Sequence, residues 1–131
     1  MAERQKTVEK KKVLVIEDNE DIAQVLAKRL QMASYLPVLL TNGWEVVSYL
    51  LKKEEPLPHA LILDLMLPGR SGHELLNTIK SVLPKAKIFV FSSHKECVSL
   101  IPQDAIEGFF LKTDGVDKLI TALNAASEDR L

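Results

Sequence analysis

Five short apolar runs recur along this chain: Val13–Ile16, Pro37–Thr41, Ala60–Leu63, Lys87–Phe91 and Glu107–Leu111. Each is too short for an ordinary helix and suits a strand, and runs as uniformly apolar as Val13–Ile16 suit strands covered on both faces. Between them apolar residues return at helical spacing. The spacing predicts a helix from about Glu20 to Ser34 burying Ile22, Val25, Leu26, Leu30 and Ala33. A second runs from Trp44 to Lys53 with Val46, Val47, Leu50 and Leu51 inward, and Trp44 packing at its start. A third, Gly72 to Leu83, buries Leu75, Leu76, Ile79 and Val82, and Pro84 stops it. A short helical segment follows from His94 to about Ile101, before Pro102. The last helix runs from Gly115 to Ser127, capped by Asp114 and burying Val116, Leu119, Ile120 and Leu123.

Five strands alternating with five helices imply an α/β domain with a parallel sheet, because each crossover needs a helix and is almost always right-handed. For five strands the expected order is 2-1-3-4-5, a single doubly wound, flavodoxin-like layer structure. Its switch point, where open sheets place their chemistry, falls between strands 1 and 3. Strand 1 runs into Glu17-Asp18-Asn19-Glu20-Asp21, four acids in five residues. Asn19 suits a helix cap, and Glu20 and Asp21 suit the positive helix N-terminus. Glu17 and Asp18 precede the cap and are left without a structural explanation. Strand 3 ends on Asp64, after which Pro68 and Gly69 break the chain, and Ser71-x-x-Glu74 has the form of a capping box. One strand-end acid alone is commonly just solvated; three meeting at the switch point are not.

Clustered carboxylates raise each other's pKa unless a cation relieves them. An all-oxygen set with positions left for water suits Mg²⁺, whereas His59, His73, His94 and Cys97 show no paired spacing for zinc. Strand 4 ends in Ser92 and strand 5 in Lys112. A hydroxyl and an ammonium beside a carboxylate nucleophile and Mg²⁺ form a set that can position and neutralise a transferring phosphoryl group.

Composition narrows the alternatives. At 131 residues the chain makes one domain, and its net charge of −1 recommends neither nucleic acid nor an anionic membrane as partner. Met1 to Lys11 is a charged lead-in and 12–131 the folded unit. The single cysteine, Cys97, suits a reducing compartment, and no apolar stretch approaches the ~20 residues of a membrane span, so a cytoplasmic location is expected.

With these residues in place, the chain from about Lys12 to Ser127 resembles the receiver domain of two-component response regulators. The resemblance implies that Asp64 is the phosphoacceptor, fed by a sensor histidine kinase or a phosphotransfer protein. It implies a Mg²⁺ site of Glu17, Asp18, Asp64 and the backbone carbonyl of Met66, with Asp18 touching the metal and Glu17 one water away. Ser92 and Lys112 would serve the phosphoryl group, and Ser92 with Phe109 would form the switch that changes the fourth-helix and fifth-strand face for an unknown downstream protein. Such a domain is not an enzyme beyond promoting its own phosphorylation and dephosphorylation. A degenerate receiver used only for docking is the alternative. A flavodoxin-like electron carrier is disfavoured because Glu17-Asp18 would repel its phosphate. A haloacid-dehalogenase-like phosphatase wants Asp-x-Asp after strand 1, and that spacing is missing here.

Three departures from the family stand out. Thr113 follows the lysine where proline is usual, so a trans Lys112–Thr113 bond and a rerouted loop are expected, since a cis bond to a non-proline residue costs about 2.5–4 kcal/mol. Lys112 follows Ser92 by 20 residues, shorter than the family's usual spacing, so the fourth helix should be shortened. Phe109 stands where tyrosine or histidine is commoner, leaving a switch ring without a polar tip.

Overall fold

A computed structural model describes residues 10–68 and 72–127. Residues 1–9 of the lead-in and Ser71 of the capping box lie outside the described residues. The strands are β1 (Lys11–Ile16), β2 (Tyr35–Leu40), β3 (Ala60–Leu63), β4 (Lys87–Ser92) and β5 (Gly108–Leu111). All pair in parallel, in the order β2-β1-β3-β4-β5, the 2-1-3-4-5 arrangement.

Side-chain alternation on the central strands divides the core into two layers. Leu14, Ile16, Leu61 and Leu63 face a cluster with Val46, Leu50, Leu75 and Ile79, from α2 (Gly43–Lys52) and α3 (Gly72–Val82). Val13, Val15, Ala60 and Ile62 face Leu26, Leu30, Leu119 and Leu123, from α1 (Glu20–Met32) and α4 (Asp117–Ser127). Burying one such aliphatic side chain contributes about 1.5–3 kcal/mol, and the doubly covered strands are therefore the rigid part of the domain. Among the described residues no helix is long and apolar enough to cross a membrane.

Several expectations need correction. α1 buries Ala23, Leu26, Ala27 and Leu30, so small alanines complete its stripe and Val25 is 50% exposed. α2 buries Gly43, Val46 and Leu50, a phase that turns Trp44 and Leu51 outward; neither packs inward as expected. On α3, Val82 faces solvent and Leu83, just past the helix, is buried in its place. Pro37 lies inside β2 rather than at its start, tolerated because β2 is an edge strand.

The fourth helical segment is 3₁₀ rather than α, Lys95–Leu100, followed by a second 3₁₀ turn, Gln103–Ala105. Its N-cap, His94, makes no side-chain capping bond, and Pro102 blocks extension, so too few residues remain to repay α-helix nucleation. The last helix begins at Asp117, two residues later than expected. Gly115 has φ +81°, outside the helical region, and Asp114 belongs to a 3₁₀ turn, Lys112–Asp114, instead of capping α4. The Lys112–Thr113 bond is trans; among the described residues cis geometry occurs at Glu55–Pro56.

Candidate functional site

The carboxyl ends of β1, β3, β4 and β5 converge on one crevice. Ladder bonds carry past the strand ends: the Glu17 N–H donates to the Leu40 carbonyl (3.0 Å) and the Asp64 N–H to the Ile16 carbonyl (3.0 Å). These fix the first residue after each strand, so the acids are held by backbone rather than by loop packing.

Glu17, Asp18 and Asp64 each bring a carboxylate oxygen to within 4.8 Å of the others. Glu17 and Asp64 are buried, at 2% and 4% exposure, while Asp18 is open to solvent. Lys112, entering from the end of β5, lies between the buried pair. Its Nζ is 2.8 Å from Glu17 Oε1, 3.1 Å from Glu17 Oε2 and 2.9 Å from Asp64 Oδ2. The backbone N–H of Asn19 also donates to Glu17 Oε2 (3.1 Å), and that of Met66 to Asp64 Oδ1 (2.9 Å). Asp18 has no such partner among the described residues.

Burial pushes the Glu17 carboxyl above its ordinary value, Lys112 and the Asn19 N–H pull it back, and the Asp64 charge adds to the rise. For Lys112 burial is the largest single influence and opposes the charge. The hydrogen bonds to Glu17 and Asp64 together outweigh it, so the ammonium titrates above its usual range.

Ser92, the last residue of β4, is fully buried, and its Oγ accepts the His94 N–H (3.1 Å). Its hydroxyl proton remains free to donate. Phe109 is half-buried on β5 opposite Val90 and lines a groove of about 330 Å³ with Val98 and Lys95 of the 3₁₀ segment. Met66 is 57% exposed, but its backbone sits against Asp64 through the bond already described. The structure thus brings Glu17, Asp18, Asp64 and Lys112 into one cluster and sets Ser92 at the end of a neighbouring strand.

The donor set fits a hard divalent cation. Three carboxylates and one ammonium leave two negative charges, and the exposed Asp18 gives entry from solvent. Glu17, Asp18 and Asp64 are the carboxylates available to it.

Two contributors are not apparent from composition or periodicity. The Asn19 amide holds Glu17, a bond that follows from the tight entry into α1. Gly72 packs against the β3–α3 loop: a Cβ there would stand 2.5 Å from Leu65 Cα and 2.7 Å from its carbonyl oxygen. A glycine at the first position of the expected helix is the signal that could have found it.

A family model described as the response regulator receiver domain matches residues 13–124. The transcriptional regulatory protein BaeR of Escherichia coli O6:H1 is 38% identical over 69 residues, covering 53% of this chain and 28% of its own length. The chain spans about half of the longer Bacillus subtilis regulator LnrK. Among solved structures, the Thermotoga maritima response regulator TrrA in complex with Mg(2+)-BeF is similar at TM-score 0.77 and 25% identity, over 88% of this chain and 97% of that one. A Burkholderia pseudomallei response regulator with a phosphorylated aspartic acid is similar at TM-score 0.75 and 26% identity, over 88% and 69%.

Proposed function

The chain belongs to the response regulator receiver domain family of two-component systems, and on that premise we propose that Asp64 accepts a phosphoryl group from the phosphohistidine of a sensor histidine kinase or phosphotransfer protein, in a Mg²⁺-dependent reaction. The observation that carries this reading is the pairing of buried Asp64 with Lys112 beside Glu17 and Asp18. A carboxylate oxygen of Asp64 forms a bond to phosphorus as the phosphorus–nitrogen bond of the donor breaks, and the leaving imidazole keeps the electron pair. Asp18, Asp64 and the Met66 carbonyl would hold Mg²⁺, with Glu17 acting at one remove, and the ion would supply charge neutralisation for the phosphoryl oxygens. Lys112 serves a second phosphoryl oxygen and Ser92 donates its free hydroxyl proton to a third. A shift of Ser92 toward the phosphoryl group draws the His94 N–H with it, and Phe109 moves in turn, which alters the face made by β5 and the 3₁₀ segment.

The receiver unit runs from Lys12 onward, with 1–11 as lead-in. It performs no turnover beyond its own phosphorylation and dephosphorylation, works in the cytoplasm, and passes its state to a downstream protein without touching nucleic acid or membrane itself. The test is incubation with acetyl phosphate and Mg²⁺. One phosphoryl mass should appear, labile to hydroxylamine, and be absent from Asp64→Asn. Labelling of the Asn variant to the wild-type extent would overturn the assignment.

A further inference from the structure

Lys12 is a buried cation with no counter-charge among the described residues. The residue is 8% exposed, on the face of β1 that looks toward α2, and its Nζ donates to the Tyr49 hydroxyl (2.9 Å). No carboxylate pairs with it among the described residues. The ring of Tyr49 does not substitute for one: attraction of a cation to a ring acts over its face, whereas this ammonium is bonded at the hydroxyl end and lies 5.5 Å from the centroid. Buried charges are ordinarily paired, because an unpaired one carries its full desolvation cost. Two ammonium protons of Lys12 and the phenol proton of Tyr49 have no acceptor among the described residues.

Tyr49 also lines a cavity of about 210 Å³ between the end of α2 and the end of α3, walled by Leu50, Leu57, Val82 and Leu83. Leu50 and Leu83 are buried, while Leu57 and Val82 are partly exposed and give it an open side. The cavity exceeds the ~150 Å³ that holds a benzene ring and falls below the range of drug-sized ligands. Lys53, Glu54 and Glu55 are exposed on its rim. Their fields are screened by water, whereas that of the enclosed Lys12 is not. The rim carboxylates penalise a multiply charged anion and leave a single negative charge the favoured guest.

We propose that this cavity binds a small monocarboxylate with an apolar body, its carboxylate accepting the Tyr49 hydroxyl proton, which the Lys12 ammonium polarises from behind, and its body against Leu57, Val82 and Leu83. The site is separate from the acidic crevice. Lys12 is the second residue of the strand whose other end leads into Asp18, about 20 Å away at the rise of an extended chain.

Benzoate and its neutral analogue benzyl alcohol are the probes, each titrated into the protein while backbone amide shifts are followed by NMR. Benzoate should give saturable shifts at Tyr49, Val82 and Leu83, with an affinity about tenfold or more above that of benzyl alcohol. Tyr49→Phe keeps the ring and removes the hydroxyl, and Lys12→Met keeps the stem and removes the charge; each should bring benzoate down to the level of benzyl alcohol. The comparison of the two probes on the wild-type protein holds whether or not Lys12→Met folds. Equal affinity for the two probes, shifts centred on Lys112 instead of Tyr49, or an absence of saturable shifts would each overturn the proposal.

Discussion

Lys112 reaches across 95 residues of sequence to place its ammonium on both carboxylate oxygens of Glu17, at 2.8 and 3.1 Å. The same nitrogen holds Asp64 Oδ2 at 2.9 Å, so one cation spans the ends of β1, β3 and β5. Sequence separation of this size means that the pairing exists only in the folded sheet, and its protonation is therefore linked to stability.

The two shifted groups give stability a defined pH dependence in EDTA. Lys112 has its pKa raised above 10.5, so its contribution is complete below 10.5 and lost as pH climbs through the higher folded value. Glu17 has its pKa raised above 4.5, so the native state prefers it protonated, and its contribution is complete below 4.5 and lost as pH rises through the folded value. Urea midpoints should fall in two separate windows, one above 4.5 and one above 10.5. Glu17→Gln should remove the first fall and Lys112→Met the second. A wild-type alkaline fall surviving in Lys112→Met would assign it to another group.

Asp18 and Glu17 should contribute unequally to Mg²⁺ binding. Glu17 already spends its oxygens on Lys112 and the Asn19 amide, whereas Asp18 is exposed and has no partner among the described residues. A small, strongly hydrated cation gains most from the uncommitted ligand. Glu17→Gln is expected to cost about 10–100-fold in Mg²⁺ affinity, the usual effect of a group acting on a site at one remove, and Asp18→Asn more. Calorimetric titration ranking the two variants the other way would exchange their roles.

The sheet and the acidic cluster were legible because each rests on a short-range signal with a geometric consequence. Val13–Ile16 and Ala60–Leu63 are apolar without interruption, so their neighbours, Glu17, Asp18 and Asp64, had to emerge at strand ends, and the topology brought those ends together. Helix phase was less legible. Ala23 and Ala27 carry the buried stripe of α1, and a hydrophobicity pattern weighted to large side chains chose Val25 instead. Trp44 faces solvent although its composition suggests packing. The start of α4 depended on the left-handed conformation of Gly115, which a capping pattern at Asp114 does not reveal.

Ser92→Ala should separate activity from stability. The variant loses the hydroxyl proposed to serve a phosphoryl oxygen, and phosphorylation of Asp64 by acetyl phosphate should slow about 10-fold or more, in line with removing one stabilising donor. Its structural cost is small. Among the described residues the bond given up is the one from the His94 N–H, and His94 is exposed enough for water to replace it, a change under about 1 kcal/mol. Stopped-flow labelling alongside denaturant unfolding checks both parts; a rate unchanged within twofold would remove Ser92 from the site.

Gly72 links the fold to the chemistry most directly. It begins α3, and its N–H donates to the Leu65 carbonyl (3.2 Å), closing the β3–α3 loop on itself. Leu65 follows Asp64 and precedes Met66, whose amide holds Asp64 Oδ1. A methyl group at position 72 would meet Leu65 backbone at 2.5 and 2.7 Å, separations that no side-chain rotation can relieve, and Leu65 is itself buried. The loop must therefore shift, and overpacking of this kind costs about 1–3 kcal/mol. The higher helix propensity of alanine returns at most about 1 kcal/mol. Gly72→Ala should thus unfold at lower urea than wild type. It should also phosphorylate more slowly at pH values where it is fully folded, because the Met66 amide and carbonyl move relative to Asp64. Loss of stability with a wild-type labelling rate would show that the loop absorbs the methyl group without disturbing the acid it carries.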